Sequence, residues 1–124
     1  MPSIDRDRNI VRHILKYCDE VNTAHEDFSC SKEKFMSSST YRNAVTMPIL
    51  QIGELANHLS DEFKQIYRQI PWNEMRGIRN LMAHQYHSVD FEIIWDTSRG
   101  DISALKTFCE NYLTQNNDGF CFIR

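Results

Sequence analysis

Apolar residues recur at intervals of three and four along most of the chain, which is the spacing of one buried face of an α-helix. The repeat predicts a first helix over residues 4–23, a second helix that ends near Leu59 and a last long helix over residues 91–113. Between the first two helices, residues 24–37 lose the repeat. We expect a connector there, with one short helical turn at about residues 31–35.

Residues that favour helix N-termini precede the points where the repeat resumes. Ser60 precedes a short helix predicted over residues 61–67, and Asp90 precedes the last long helix. Pro71 disfavours helical backbone in the residue before it, so a new helix is expected to begin just after it, at residue 72 or 73. The second helix follows a run of four candidate caps, Ser37, Ser38, Ser39 and Thr40.

Three residues inside the predicted helices are poor helix formers. Pro48 removes one backbone hydrogen bond and is expected to bend the second helix near Ala44. Gly53 costs about 1 kcal/mol relative to alanine in a helix interior, so its presence suggests that another backbone passes close to it. Glu54, beside it, is either a partly buried carboxylate or an exposed one. Gly100 is expected to weaken the last helix.

Four long amphipathic segments and one short one indicate an all-α fold, an antiparallel helical bundle that forms a single domain over residues 1–124. The small numbers of glycine and proline residues, four and three, argue against a loop-rich β fold. No apolar run approaches the ~20 residues that cross a bilayer, and the N-terminus is charged. A cytoplasmic protein without a membrane segment is therefore expected. Cys18 and Cys109 fit the core as small apolar residues.

The segment from residue 75 to residue 87 carries the candidate chemistry. Wound as a helix, it places four apolar residues on one arc, Met75, Ile78, Leu81 and Met82. The other arc holds donors and titratable groups, Arg76, Arg79, Asn80, His84, Tyr86 and His87, together with Ala83. A merely solvated face usually mixes glutamate, lysine and glutamine. This arc has no carboxylate, which indicates a binding or catalytic surface.

Arg79 and His84 suit the cleavage of a phosphodiester bond. An arginine is permanently charged and fits phosphate oxygens, and a histidine exchanges protons near neutral pH. In RNA the 2′-hydroxyl supplies the nucleophile, so the protein needs only proton transfer and charge stabilisation. The pattern thus indicates cleavage of RNA without a metal or another cofactor.

The positions of these two residues on a helix predict an assembly. On an unbroken helix they point about 140° apart and differ by ~7.5 Å in rise. Convergence on one phosphate then requires the reach of Arg79, or a helix end just before His84. Cleavage also needs an acid and a base, whereas one chain offers one well-placed histidine. We therefore expect a homodimer, whose two-fold axis would bring two copies of each residue into one cleft.

Four segments resemble, in order, the HepT-like branch of the HEPN superfamily. They read Gln51-Ile52-Gly53-Glu54, Ile70-Pro71-Trp72, Arg79-Asn80-x-x-x-His84-x-Tyr86 and Val89-Asp90-x-x-x-x-Trp95. The resemblance implies a HEPN-like helical-bundle dimer that acts as a metal-independent endoribonuclease, the toxin of a toxin–antitoxin pair. It implies Arg79 and His84 as the catalytic pair, with Asn80 as the adjacent polar member. It also implies an antitoxin, a minimal nucleotidyltransferase that transfers AMP to Tyr86, where bulk and negative charge would oppose an RNA phosphate.

Other interpretations of the same residues stay open. The chain could be a catalytically inactive module that docks a nucleotidyltransferase or a nucleotide, or a purely structural dimer. Arg79 could form a structural ion pair with Glu54 or Glu74, and Tyr86 could be an ordinary half-buried aromatic residue. Arg76 is either a contact to the RNA backbone or a solvated charge. A metal held by His84 and His87 is disfavoured because a third ligand is missing, and the apolar segment 120–123 has to pack on the bundle or on a partner.

Overall fold

The structure is a computed structural model that describes the backbone of residues 2–85 and 89–115 and the side chains of residues 5–80 and 89–115. Regular structure in these ranges is entirely helical, which confirms the predicted all-α fold. The elements are α1 (Pro2–Asp27), α2 (Lys32–Ser37), α3 (Ser39–Asn57), α4 (Asp61–Ile66), α5 (Trp72–Gln85), α6 (Phe91–Asp96), a π-helical turn (Thr97–Asp101) and α7 (Ile102–Gln115). Helix α3 packs between α1 and α5, and α7 packs on α1. None of the described helices combines the length and the apolar composition needed to span a bilayer.

Three of the predicted N-cap residues cap helix N-termini in the structure. The hydroxyl of Ser38 accepts a hydrogen bond from the N–H of Tyr41 at the start of α3. Ser60 caps α4 in the same way, and the Asp90 carboxylate accepts from the N–H of Glu92 at the start of α6. Side-chain oxygens at these positions satisfy N–H groups that a helix start leaves without a partner. The sequence therefore predicts the start of a helix correctly at each of these three caps.

The predicted end of the first helix is wrong. Helix α1 continues through Asp27 because Ala24 and His25 are buried against the core, and the connector is correspondingly shorter. Ser29 and Cys30 then adopt left-handed backbone, with φ of 61° and 49°, and the N–H of Cys30 donates to the carbonyl of His25. This is a usual way to end a helix. The short helical turn predicted nearby is confirmed as α2.

The core contains most of the residues that the repeat predicted to be inward. Tyr41, Phe35 and Trp95 form one aromatic group near α2, and Phe63, Tyr67 and Phe108 contribute to a second near α4. Cys18 and Cys109 are buried, as predicted, and burial raises the pKa of the Cys18 thiol to about 12. The buried apolar set includes Val11, Ile14, Val21, Val45, Ile49, Ile52, Ala56, Ile94, Ile102, Leu105 and Tyr112.

One buried polar network crosses this core. The hydroxyl of Ser98 donates to the carbonyl of Trp95 and accepts from Nε2 of His25, and the hydroxyl of Tyr41 donates to Nδ1 of the same ring at 2.6 Å. Burial, followed by the charge of Arg99, lowers the pKa of His25 to about 4, so the ring is neutral at pH 7. Ser98 lies in the π-helical turn. That turn brings its hydroxyl inward to complete the network, in the region that Gly100 was expected to weaken.

Candidate functional site

The candidate site lies where α5 rests on α3, and Gly53 sets how closely the two helices approach. A Cβ atom added at Gly53 would lie 2.6 Å from Cβ of Arg79 and 2.9 Å from the carbonyl oxygen of Met75. The prediction that another backbone passes close to Gly53 is confirmed. Because the glycine has no side chain, the stem of Arg79 lies directly against the α3 backbone, with Ile78 half-buried beside it.

Arg79 is held by two polar contacts within the described residues. Its Nη2 lies 2.6 Å from Oε1 of Glu54, and its Nη1 donates to Oδ1 of Asn80 at 2.6 Å. The side chain is still 32% exposed. The guanidinium group is thus fixed in place at the surface, where an anion in solution can meet it. Of the two ion-pair partners considered from the sequence, Glu54 is the one that the structure shows, and Glu74 is exposed on the first turn of α5.

Glu54 is shared between the side chains of Arg79 and His58. Its second oxygen, Oε2, lies 3.1 Å from Nε2 of His58, the residue that follows the end of α3. The hydrogen bond from His58, and further the charge of Arg79, lower the pKa of the Glu54 carboxyl group. The Glu54 side chain is 39% exposed, which agrees with the partly buried alternative. The i, i+4 spacing of Glu54 and His58 is the sequence signal from which this contact could have been predicted.

The structure describes the side chains of some of the other motif residues and not of others. Asn80 is exposed beside Arg79, and Arg76 is exposed one turn earlier. Helix α5 continues through His84 to Gln85, so the helix end that was considered just before His84 does not occur. The side chain of His84 lies outside the described residues, as do Tyr86, His87 and the apolar segment 120–123. The predicted meeting of Arg79 with His84 therefore stays a prediction.

Two further features were not predicted. The carboxylate of Asp7 is buried and accepts hydrogen bonds from the N–H and the hydroxyl of Ser60, which fixes the start of α4 against α1. An apolar cavity of about 150 Å³ lies between α3, α5 and α7, and its lining includes Ile52, Met75 and Leu105. No cluster of three or more potential metal ligands occurs among the described residues.

Comparison with known proteins places these residues in a wider context. The family described as Ribonuclease HepT-like matches residues 14–112, a range that contains the whole of α3 and α5 and every proposed site residue. No solved structure matches the chain.

The curated relatives are of moderate identity. "Probable ribonuclease HepT" of Thermococcus cleftensis is 35% identical over 81 residues, which are 65% of this chain and 67% of the relative. A "putative RNase" of Caldanaerobacter subterraneus is 29% identical over 99 residues, 80% of this chain and 87% of the relative. Another protein so named, from Methanocaldococcus jannaschii, is 29% identical over 73 residues, 59% of this chain and 67% of the relative.

Proposed function

Because the chain belongs to the HepT-like ribonuclease family, we propose that it is a metal-independent endoribonuclease in which Arg79 and His84 act on one phosphate of RNA. The observation that carries the proposal is the family match, which covers the complete motif from Arg79 to Tyr86. The partly exposed guanidinium of Arg79, held by Glu54 and Asn80, supports it, since a preorganised cation can stabilise charge that develops on a phosphate. Asn80 holds that guanidinium on one side, and Arg76 is available as a contact to the RNA backbone.

The reaction that we propose balances without a bound cofactor. The 2′-hydroxyl of RNA loses its proton to a histidine, its oxygen attacks the adjacent phosphorus, and the bond to the 5′-oxygen breaks as that oxygen takes up a proton. The products are a 2′,3′-cyclic phosphate and a 5′-hydroxyl. Because proton removal and proton donation need two groups, we propose that a homodimer brings two copies of His84 to one cleft.

The cleavage test uses the full chain with RNA in excess chelator. Wild-type protein should leave 2′,3′-cyclic phosphate ends, and His84→Ala and Arg79→Ala should each abolish cleavage. Arg68→Ala is a suitable control, because it removes an arginine outside the motif. Intact RNA with the wild-type protein would overturn the nuclease proposal. It would favour the catalytically inactive binding module, which the contacts of Arg79 to Glu54 and Asn80 within one chain also allow.

We further propose that the chain is the toxin of a toxin–antitoxin pair, neutralised by a nucleotidyltransferase that transfers AMP from ATP to the hydroxyl of Tyr86 with release of pyrophosphate. The added group would bring bulk and negative charge beside the groups that receive an RNA phosphate. Mass spectrometry after incubation with the partner and ATP should find one or more AMP groups on Tyr86, and Tyr86→Phe should escape neutralisation. Full neutralisation of Tyr86→Phe would instead show that the partner blocks the site by occlusion.

A further inference from the structure

Glu54 lies outside the Arg-to-Tyr motif, yet it forms an ion pair with the motif arginine, Arg79. Its two oxygens serve two elements of the site: Oε1 lies 2.6 Å from Nη2 of Arg79, and Oε2 lies 3.1 Å from Nε2 of His58. A carboxylate held at both oxygens has little freedom to turn. The direction in which it presents a charge to Arg79 is therefore set by α3 and not by the arginine itself.

The stem of Arg79 is constrained at the same place. The missing side chain of Gly53 lets Cβ of Arg79 lie against the α3 backbone, and Glu54, the next residue, meets the guanidinium at the other end of the side chain. Arginine has about 2 kcal/mol of rotamer entropy to lose when it is fixed. In this chain, the neighbouring residues 53 and 54 fix both ends of the side chain before any ligand arrives.

The same contacts leave the arginine able to bind. Within the described residues, Arg79 engages Glu54 and Asn80 through one nitrogen each, whereas a guanidinium has five N–H donors. The side chain is 32% exposed. A phosphate can thus approach the remaining donors while the carboxylate stays in contact.

We propose that Glu54 is the positioning residue for Arg79 and that His58 holds the Glu54 carboxylate in the orientation that this requires. The proposal rests on the proposed function, because it assigns Glu54 to the same reaction. Glu54 itself does not touch RNA. It acts through Arg79, which it holds where charge develops on the phosphate. His58 acts through its contact with Glu54.

The test compares cleavage of RNA by Glu54→Gln with cleavage by Glu74→Gln. Glu54→Gln removes a partly exposed carboxylate that contacts Arg79, and Glu74→Gln removes an exposed carboxylate of α5 as the control. Misplacing a reacting group costs on the order of 10- to 100-fold in rate, and we expect that loss in kcat for Glu54→Gln and none for Glu74→Gln. Unfolding of both variants in urea should match that of the wild type, since exposed ion pairs contribute little to stability.

A double-mutant cycle separates positioning from a general effect. In an Arg79→Lys background, which keeps the positive charge but loses the planar guanidinium group, Glu54→Gln should have much less effect than in the wild type. His58→Ala should reduce kcat less than Glu54→Gln does, and His13→Ala, which removes an exposed histidine of α1, should have no effect. Equal effects of Glu54→Gln in both backgrounds would overturn the proposal, and so would faster cleavage by Glu54→Gln, which would mean that the carboxylate competes with RNA.

A second measurement keeps this proposal separate from the nuclease activity. Nitrogen NMR of the guanidinium groups should show hindered rotation of the Arg79 Nη atoms in the wild type and in Glu74→Gln, and free rotation in Glu54→Gln. If the three proteins show this pattern but the wild type does not cleave RNA, the proposed function fails while the positioning contact stands. If the Arg79 signals are the same in Glu54→Gln and the wild type, the positioning proposal is wrong whether or not RNA is cleaved.

Discussion

Substitution of Gly53 by alanine measures how closely α5 is seated on α3. The new Cβ atom would lie 2.6 Å from Cβ of Arg79 and 2.9 Å from the carbonyl oxygen of Met75. Nonbonded carbon atoms pack at about 3.5–4.0 Å, so α5 has to move away by about 1 Å. Neither neighbouring atom is the far end of a flexible side chain, and a rotamer change therefore cannot relieve the overlap.

The expected change in the free energy of unfolding of Gly53→Ala follows from two opposing effects. Overpacking of this kind costs about 1–3 kcal/mol, and the higher helix propensity of alanine offsets about 1 kcal/mol of that. Gly77→Ala is the matched control, because Gly77 lies in α5 and nothing lies within 4 Å of a Cβ atom built there. Both variants gain the same propensity, so the difference between their free energies of unfolding isolates the overlap. The cavity beside Met75 gives α5 room to shift, which places that difference in the lower half of the range.

Urea unfolding followed by far-UV circular dichroism gives both values, at one fixed protein concentration because association would change the apparent stability. Gly77→Ala should be more stable than the wild type by up to about 1 kcal/mol, and Gly53→Ala should be less stable than Gly77→Ala by about 1–2 kcal/mol. Gly53→Ala should also lose RNA cleavage, because the shift separates Arg79 from Glu54. Equal stability of the two alanine variants would refute the close approach of the helices.

Three further predictions concern residues away from the motif. His25 stays neutral in the fold because its pKa is lowered to about 4 from 6.5. As the pH falls, the unfolded chain therefore binds the proton first, and the free energy of unfolding should fall by up to about 1.4 kcal/mol per pH unit from pH 6.5 down to about 4. Urea unfolding across this range should show the dependence, and His25→Gln should reduce it. Ser98→Ala removes the acceptor for Nε2 of His25 and should cost about 1–3 kcal/mol by the same method, with Ser103→Ala on the exposed side of α7 as control. Asp7→Ala leaves the partly buried N–H of Ser60 without its acceptor and should destabilise by about 1–3 kcal/mol. Asp5→Ala, exposed on the same helix, should change stability little. Hydrogen exchange at α4 that stayed unchanged in Asp7→Ala would contradict this role.

Much of the fold followed from the sequence because the features that determine it are local. The three-and-four repeat marks which side of each helix is buried, and Ser38, Ser60 and Asp90 mark where helices start. Gly53 was informative for the opposite reason: a residue that is unfavourable in a helix suggested a tertiary cause, and Arg79 is that cause.

The features that the sequence did not predict depend on partners far apart in the chain. His25 fell within the predicted connector because the apolar repeat is lost from residue 24 onward. Its burial depends on Tyr41 and Ser98, 16 and 73 residues away, which satisfy both ring nitrogens. The choice of Glu54 rather than Glu74 as the partner of Arg79 likewise depends on how α5 lies across α3. Periodicity fixes the buried face of a helix, but it does not specify which side chains meet between helices.

The π-helical turn Thr97–Asp101 also affects how the chain can change in length. Such a turn accommodates one residue more than the α-helix around it. Gly100 is exposed there, with nothing within 4 Å of an added Cβ atom. Deletion of Gly100 would convert the turn to α-helix and leave α6 and α7 facing the core as they do now. A one-residue deletion elsewhere in residues 91–115 would rotate one part of the segment by about 100° relative to the other, so evolutionary or engineered indels in this segment are best tolerated at this turn.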